Sequence, residues 1–206
     1  MKIQLSAVAI GLSVAFGGTA MANTTGDVTQ SGNYNKAVVD QVDTSSVYGL
    51  VNQQGSLNDG TIEQDGVTAS NATIYQTGTW NKAVAEQDGG WYTGYNQNAT
   101  IHQAGMGNQA WTGQRGNGTA ANVSQSGDYN RANVEQNGAH MGSVTATVSQ
   151  AGYKNDAYIN QDGKNLVATI SQSGKLNKAI TLQEGANKFS TVSQSGMGNR
   201  SFVHQR

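Results

Sequence analysis

Cysteine and proline are both missing from the 206 residues. Without cysteine no disulfide can brace the fold, so a chain meant for an oxidising compartment has to be held together some other way. Without proline no strand loses a backbone donor or is blunted at its edge. Charge is scarce too: 12% of residues are charged and the formal net charge is -1. That balance offers no footing for a phosphate backbone, and nucleic acid is not an expected partner. Hydrophobic residues make up 36%, below the about 45–50% of an ordinary globular domain. Carboxamide fills the gap, with 20 Gln and 21 Asn alongside 27 Gly. Such a composition fits disorder, an aggregating Gln/Asn-rich tract or a repeat array, and periodicity decides among them.

The first 22 residues, MKIQLSAVAIGLSVAFGGTAMA, carry Lys2, an apolar run over 3–16 and Ala20-Met21-Ala22. That is the order of a secretory signal peptide with an A-x-A cleavage site. The run is shorter than the about 20 apolar residues of a membrane span and is broken by glycine. Residues 1–22 are therefore expected to be removed after Ala22, leaving residues 23–206 as an exported chain that stands apart from the leader.

Aligning the chain on Q-x-G-x-x-N gives eight copies, starting at Gln30, Gln53, Gln76, Gln103, Gln125, Gln150, Gln172 and Gln194. Each has a glycine two residues on (Gly32, Gly55, Gly78, Gly105, Gly127, Gly152, Gly174, Gly196) and an asparagine five on (Asn35, Asn58, Asn81, Asn108, Asn130, Asn155, Asn177, Asn199). Eleven residues on stands a second glutamine: Gln41, Gln64, Gln87, Gln114, Gln136, Gln161, Gln183 and Gln205. The units are spaced 23, 23, 27, 22, 25, 22 and 22 residues apart and occupy 24–41, 47–64, 70–87, 97–114, 119–136, 144–161, 166–183 and 188–205.

Within each half-unit the period is 2. Two residues before every first Gln stands Val or Ile, and four before it a small residue. Before the second Gln the same parity reads Asn, a small residue, a mostly aliphatic position, then Gln. These positions share one face of a strand, and the Q-x-G corner supplies the positive-φ backbone that turns the chain. The expected fold is all-β: a β-solenoid of eight stacked strand–arc–strand repeats, each strand about 4.7–4.8 Å from its counterpart, with the cross-β geometry of amyloid.

Stacking explains the inward amides. A buried carboxamide without a partner costs on the order of 1–3 kcal/mol. In register, each Gln or Asn donates to the next rung and accepts from the one before, and only identical residues can sustain such a ladder. On the outer face, Lys36, Asp59, Lys82, Arg131, Asp156, Lys178 and Arg200 suit exposed cross-rung pairs. Val38, Thr61, Val84, Trp111, Asn133, Tyr158, Ile180 and Phe202 form an outward column that serves either lateral contact and adhesion or plain β-propensity. The eighth repeat carries no capping element, so an open stack is expected to add more of itself.

The pattern Q-x-G-x-x-N-x-A-x-x-x-Q, as in QSGNYNKAVVDQ at 30–41, resembles the repeat of the curlin family, and the resemblance runs over nearly all of 23–206. It implies a secreted structural subunit of extracellular curli-like amyloid fibres, serving biofilm matrix and adhesion. Its partners would be further copies of itself, other curlin subunits, and an outer-membrane secretion pore with periplasmic assembly factors. No cofactor, metal or catalytic residue is implied. The main fibre subunit is the preferred role, and a minor curlin that nucleates fibres at the cell surface is the alternative. Three features depart from the family pattern: only residues 23–29 precede the first Gln, the serine expected six residues before it is clear only at Ser70, and insertions lengthen 88–97 and the region of 140–143.

Other functions find less in the sequence. An ice-binding plane would use Thr147/Ser149, Thr169/Ser171 and Thr191/Ser193, but Asp27, Leu50, Tyr75 and His102 interrupt the same face. An enzyme finds no acidic pair with a fixed partner, and His102, His140 and His204 stand on unrelated rungs. Calcium-binding G-G-x-G-x-D tracts are missing, and Asp65, Asp88 and Asp162 read as turn residues.

Overall fold

Strict alternation of inward and outward residues makes these segments strands, and the glycine corners make them short. The computed structural model describes residues 3–6, 12–17, 23–90, 94–138 and 142–206, and no helix occurs among them. Lys36–Val42, for instance, alternates outward and fully buried positions along its length.

Each repeat folds into one rung of two strands. The first strands are Thr25–Asn33, Tyr48–Ser56, Asn71–Thr79, Asn98–Met106, Thr119–Asp128 and Val144–Tyr153. The second strands are Lys36–Val42, Asp59–Asp65, Lys82–Asp88, Gln109–Gly116 and Arg131–Gly138. In the last rungs the pairing continues through the outer arc. Asp156–Lys175 and Lys178–Met197 thus each supply the second strand of one rung and the first of the next, before Arg200–Gln205.

Every strand pairing is parallel and in register. First glutamines lie beside first glutamines from Gln30 to Gln194. Second glutamines lie beside second glutamines from Gln41 to Gln205. A slip by one residue would turn each aliphatic column to solvent, so the buried face fixes the register. The fold is a parallel β-solenoid of eight turns. Its core is the thin slab between the two strand stacks, where Val28, Val51, Ile74 and Ile101 meet Val39, Ile62 and the alanines.

The described residues of the 88–97 insertion sit in an outer arc. Gly94–Tyr95 pairs in parallel with Val67–Thr68. Gln97 is fully buried, its Nε2 donating to Asp88 O at 2.9 Å and Gly116 O at 2.7 Å. Trp91, Tyr92 and His140 lie outside the described residues, as does the expected cleavage site at Ala20–Ala22.

Two short strands of the N-terminal segment lie beside rung one. Ile3–Ser6 pairs with the first strand of rung one and Leu12–Gly17 with the second, in the registers Ile3↔Val28 and Leu12↔Ala37. The physical reason is that rung one offers a β-edge, and any apolar segment with free backbone donors can pair with such an edge.

Candidate functional site

The two glutamine columns form continuous hydrogen-bonded ladders. Gln30 Nε2 donates to Gln53 Oε1 at 2.7 Å, and the same link recurs at each step to Gln194. The second column repeats it from Gln41 to Gln205, with distances between 2.7 and 3.1 Å. In the ladder glutamines other than Gln30 and Gln64, the second N–H of Nε2 reaches across the slab to a backbone carbonyl of the other stack; Gln53 to Lys36 O at 2.8 Å is one case. Every ladder glutamine except Gln205 is buried.

The asparagine column runs the other way, unlike the single direction the sequence suggested. Asn58 Nδ2 and its backbone N–H both donate to Asn35 Oδ1 of the preceding rung, at 3.1 and 3.0 Å. The pattern repeats to Asn199, which donates to Asn177 Oδ1 at 2.9 Å. The reversal follows from side-chain length. Asn stands at the start of its strand, and its amide also donates to the corner glycine carbonyl of the next rung, as Asn35 Nδ2 does to Gly55 O at 2.9 Å. With its amide donating both there and to the preceding rung, as Asn58 Nδ2 does to Gly78 O and Asn35 Oδ1, the Asn oxygen is the group left to receive the following rung.

The corner glycines are required twice over. Gly55 has φ +119, and a Cβ on it would sit on the Gly78 carbonyl oxygen one rung along. The same holds at each corner from Gly32 to Gly174, whereas at Gly196 the nearest atom is Asn199 Nδ2 at 3.7 Å. Each corner can therefore tolerate only glycine once another rung lies on it.

Buried polar atoms without a partner show what an incomplete ladder costs. Gln97 Oε1, Thr112 Oγ1, Thr119 Oγ1, Thr181 Oγ1 and Ser190 Oγ are buried without a hydrogen bond among the described residues. Thr112 and Thr181 stand alone in an otherwise aliphatic column, and Ser190 in one of Gly and Ala. Gln97 and Thr119 are neighbours in the column six residues before the first Gln, where Val47, Ser70, Val144 and Leu166 are also buried. Mixed columns leave orphans; uniform Gln and Asn columns do so only where they end. Gln30 Oε1 and Gln41 Oε1 are those ends.

On the outer face, Lys36 pairs with Asp59 at 3.7 Å and Lys178 with Asp156 at 3.2 Å. The acidic column brings Glu63 beside Asp40 and Glu86. Burial raises the Glu63 carboxyl above its ordinary range, and the charges of Glu86 and Asp40 add to the rise. Trp111 Nε1 donates to Glu86 at 2.9 Å and Tyr158 OH to Glu135 at 2.8 Å, so the outward column is held down and half-buried along most of its length. The Thr/Ser columns of the last three rungs are in register, but Tyr75 stacks on His102 at 4.6 Å within the same face.

A second exposed column went unread in the sequence. The residue before each ladder asparagine is Tyr34, Leu57, Trp80, Gly107, Tyr129, Lys154, Leu176 and Gly198, all with positive φ. Trp80 is 64% exposed with φ 62. Left-handed backbone under bulky side chains is uncommon, and the only sequence signal for it was an apolar residue standing inside a turn.

Parallel stacked strands, uniform amide ladders and glycine corners define a class: cross-β solenoids whose rungs are interchangeable stacking units. Within that class, residues 145–174, from the first strand of rung six through the first strand of rung seven, match the family model of the curlin associated repeat. Over these residues the chain carries a curlin associated repeat. No curated protein matches the chain.

Proposed function

We propose that the protein is an exported structural subunit that assembles end to end into extracellular cross-β fibres of the curli type, serving matrix and adhesion as the main fibre-forming subunit. The observation that carries this reading is the uniformity of the ladders. Every rung offers the same amides at the same positions, so a rung of another copy satisfies an end rung as well as a neighbour in the chain does. Partners of the reading are further copies, other curlin subunits, and the secretion pore and periplasmic factors of the family; a leader over 1–22 supplies export. The amides, Asn ladder and corner glycines act as structural groups with no catalytic part.

Residues 23–206, followed by thioflavin fluorescence and fibre diffraction, test the reading. Fibres with a meridional reflection at about 4.7–4.8 Å are expected. A chain that stays monomeric without that reflection overturns it. Strong acceleration of a second curlin at low ratio would move the role from main subunit to nucleator.

A further inference from the structure

We infer that Tyr129 and Tyr153 form a modification site, at which a one-electron oxidant of the peroxidase class joins their rings into a dityrosine that ties rung five to rung six. The inference stands apart from the assembly proposed above, because both residues belong to a single chain. Cysteine is missing from the sequence, so a covalent brace between rungs has to be built on another side chain. Phenols can supply one. Among the described residues, Tyr129 and Tyr153 are the one pair of tyrosines whose rings meet, with centroids 6.0 Å apart and planes at 84°. Tyr75 instead stacks on His102, and the Tyr158 hydroxyl is tied to Glu135.

The fold holds this pair in place and within reach of solvent. Tyr153 lies in register with Asp128, so the two tyrosines sit diagonally on neighbouring rungs at the glycine corner. Ladder links on both sides fix the spacing: Gln125 donates to Gln150 at 2.8 Å and Asn155 to Asn130 at 3.1 Å. Tyr129 N–H donates to Met106 O at 2.8 Å and Lys154 N–H to Asp128 O at 3.0 Å, which ties the corner backbone on both rungs. The Tyr129 ring rests on Gly107 of the rung before, where a Cβ would come within 2.7 Å of its Cδ1 and Cε1. The Lys154 ammonium lies 5.1 Å from the centre of the Tyr153 ring and holds it by a cation–π contact. Tyr129 is nevertheless 45% and Tyr153 37% exposed, open to an oxidant from solution.

The chemistry balances with hydrogen peroxide as the terminal oxidant. Each phenol gives up one electron and one proton, and the peroxide takes up both pairs to become two waters. The two phenoxyl radicals join at the ring carbons beside their oxygens, Cε of Tyr129 to Cε of Tyr153. Each joined carbon then passes its hydrogen to its own oxygen, which restores both phenols. The chain loses two hydrogens and gains one carbon–carbon bond between residues 24 apart in the sequence. Closing that loop restricts the unfolded chain as a disulfide does.

Treating the full chain, kept dilute enough to stay monomeric, with peroxidase and hydrogen peroxide tests the site. Dityrosine fluorescence and a mass lower by two hydrogens are expected in the monomer. Trypsin cuts after Arg115, Arg131 and Lys154, so fragments 116–131 and 132–154 should stay joined by the new bond alone. Tyr129→Phe and Tyr153→Phe keep a ring in each place and should each abolish the link. Tyr34→Phe should leave it unchanged, since Tyr34 is also exposed but Leu57 is its counterpart on the next rung. A link that persists in either of the first two variants, or that maps to another pair of tyrosines, overturns the site. A linked monomer whose urea midpoint is no higher than that of the unlinked chain overturns its role as a brace.

Discussion

Replacing one rung's glutamine should cost more than its own hydrogen bonds suggest, and replacing two neighbours should cost hardly more than one. Gln103→Leu removes the link from Gln76 at 2.9 Å, the link to Gln125 at 2.8 Å and the bond to Lys82 O at 2.9 Å. It leaves an N–H of Gln76 and the Oε1 of Gln125 buried without partners. At about 1–3 kcal/mol per orphaned group, less what leucine's added apolar surface returns, the net loss is about 3 kcal/mol. Ile101→Val, two residues away, should cost only about 1 kcal/mol.

Adding Gln125→Leu to Gln103→Leu moves the orphaned oxygen to Gln150, which Gln125 otherwise serves at 2.8 Å, and the number of orphans stays the same. The double variant should therefore lose about 3 kcal/mol where additivity predicts about 6 kcal/mol. Gln103→Leu with Gln172→Leu, which bonds to Gln150, Gln194 and Asp156, shares no partner and should add in full. Urea unfolding of residues 23–206 at submicromolar concentration, followed by far-ultraviolet circular dichroism, reads all four variants by their midpoints. A neutral single variant, or strict additivity of the neighbouring pair, would refute the ladder as the reason for the repeated amides.

Gly105→Ala should abolish the native stack, since its Cβ falls on the Gly127 carbonyl; Gly196→Ala should spare the folded monomer apart from the strain at φ +104, yet block fibre growth, as thioflavin kinetics will report. Trp80→Gly should raise stability by about 0.5–1 kcal/mol in the same urea assay, because left-handed backbone costs a bulky residue about 1–2 kcal/mol and glycine returns part of that gain in chain entropy. Glu63→Gln should stabilise the fold at neutral pH. A folded carboxyl raised above its ordinary value of 4.5 penalises the fold as pH climbs through the raised value, so the variant and wild type should converge below pH 4.5 in pH-dependent unfolding.

Much of this fold is written in the chain because the repeats carry the information eight times. Period 2 placed Val39, Ala37 and Gln41 on one face, and the shared spacing placed Gln30 beside Gln53 without any three-dimensional input. What the sequence hid depends on geometry that residue identity does not encode. Whether an amide donates forward or backward is decided by side-chain reach, which is why Gln53 and Asn58 in one rung point their donors oppositely along the stack. The left-handed backbone at Tyr34, Leu57 and Trp80 was hidden because those residues disfavour it; in the stack, Leu57 N–H donates to Asn33 O and Trp80 N–H to Ser56 O of the preceding rung. Gln97 looked like part of an insertion; its burial came into view only when the arc closed over Asp88 and Gly116. The pairing of Ile3–Ser6 and Leu12–Gly17 was likewise beyond reading from composition, since any β-capable segment can meet a free edge.

The central claim is that a fibre continues the ladders of the single chain without a break. Electron cryomicroscopy of fibres grown from residues 23–206 measures this directly through the axial repeat of one subunit. Eight rungs at about 4.7–4.8 Å predict about 38 Å per subunit, with the density of rung eight running into rung one at unchanged spacing. A shorter repeat, a gap at the junction, or fibres built by side-to-side contact of closed monomers would contradict it.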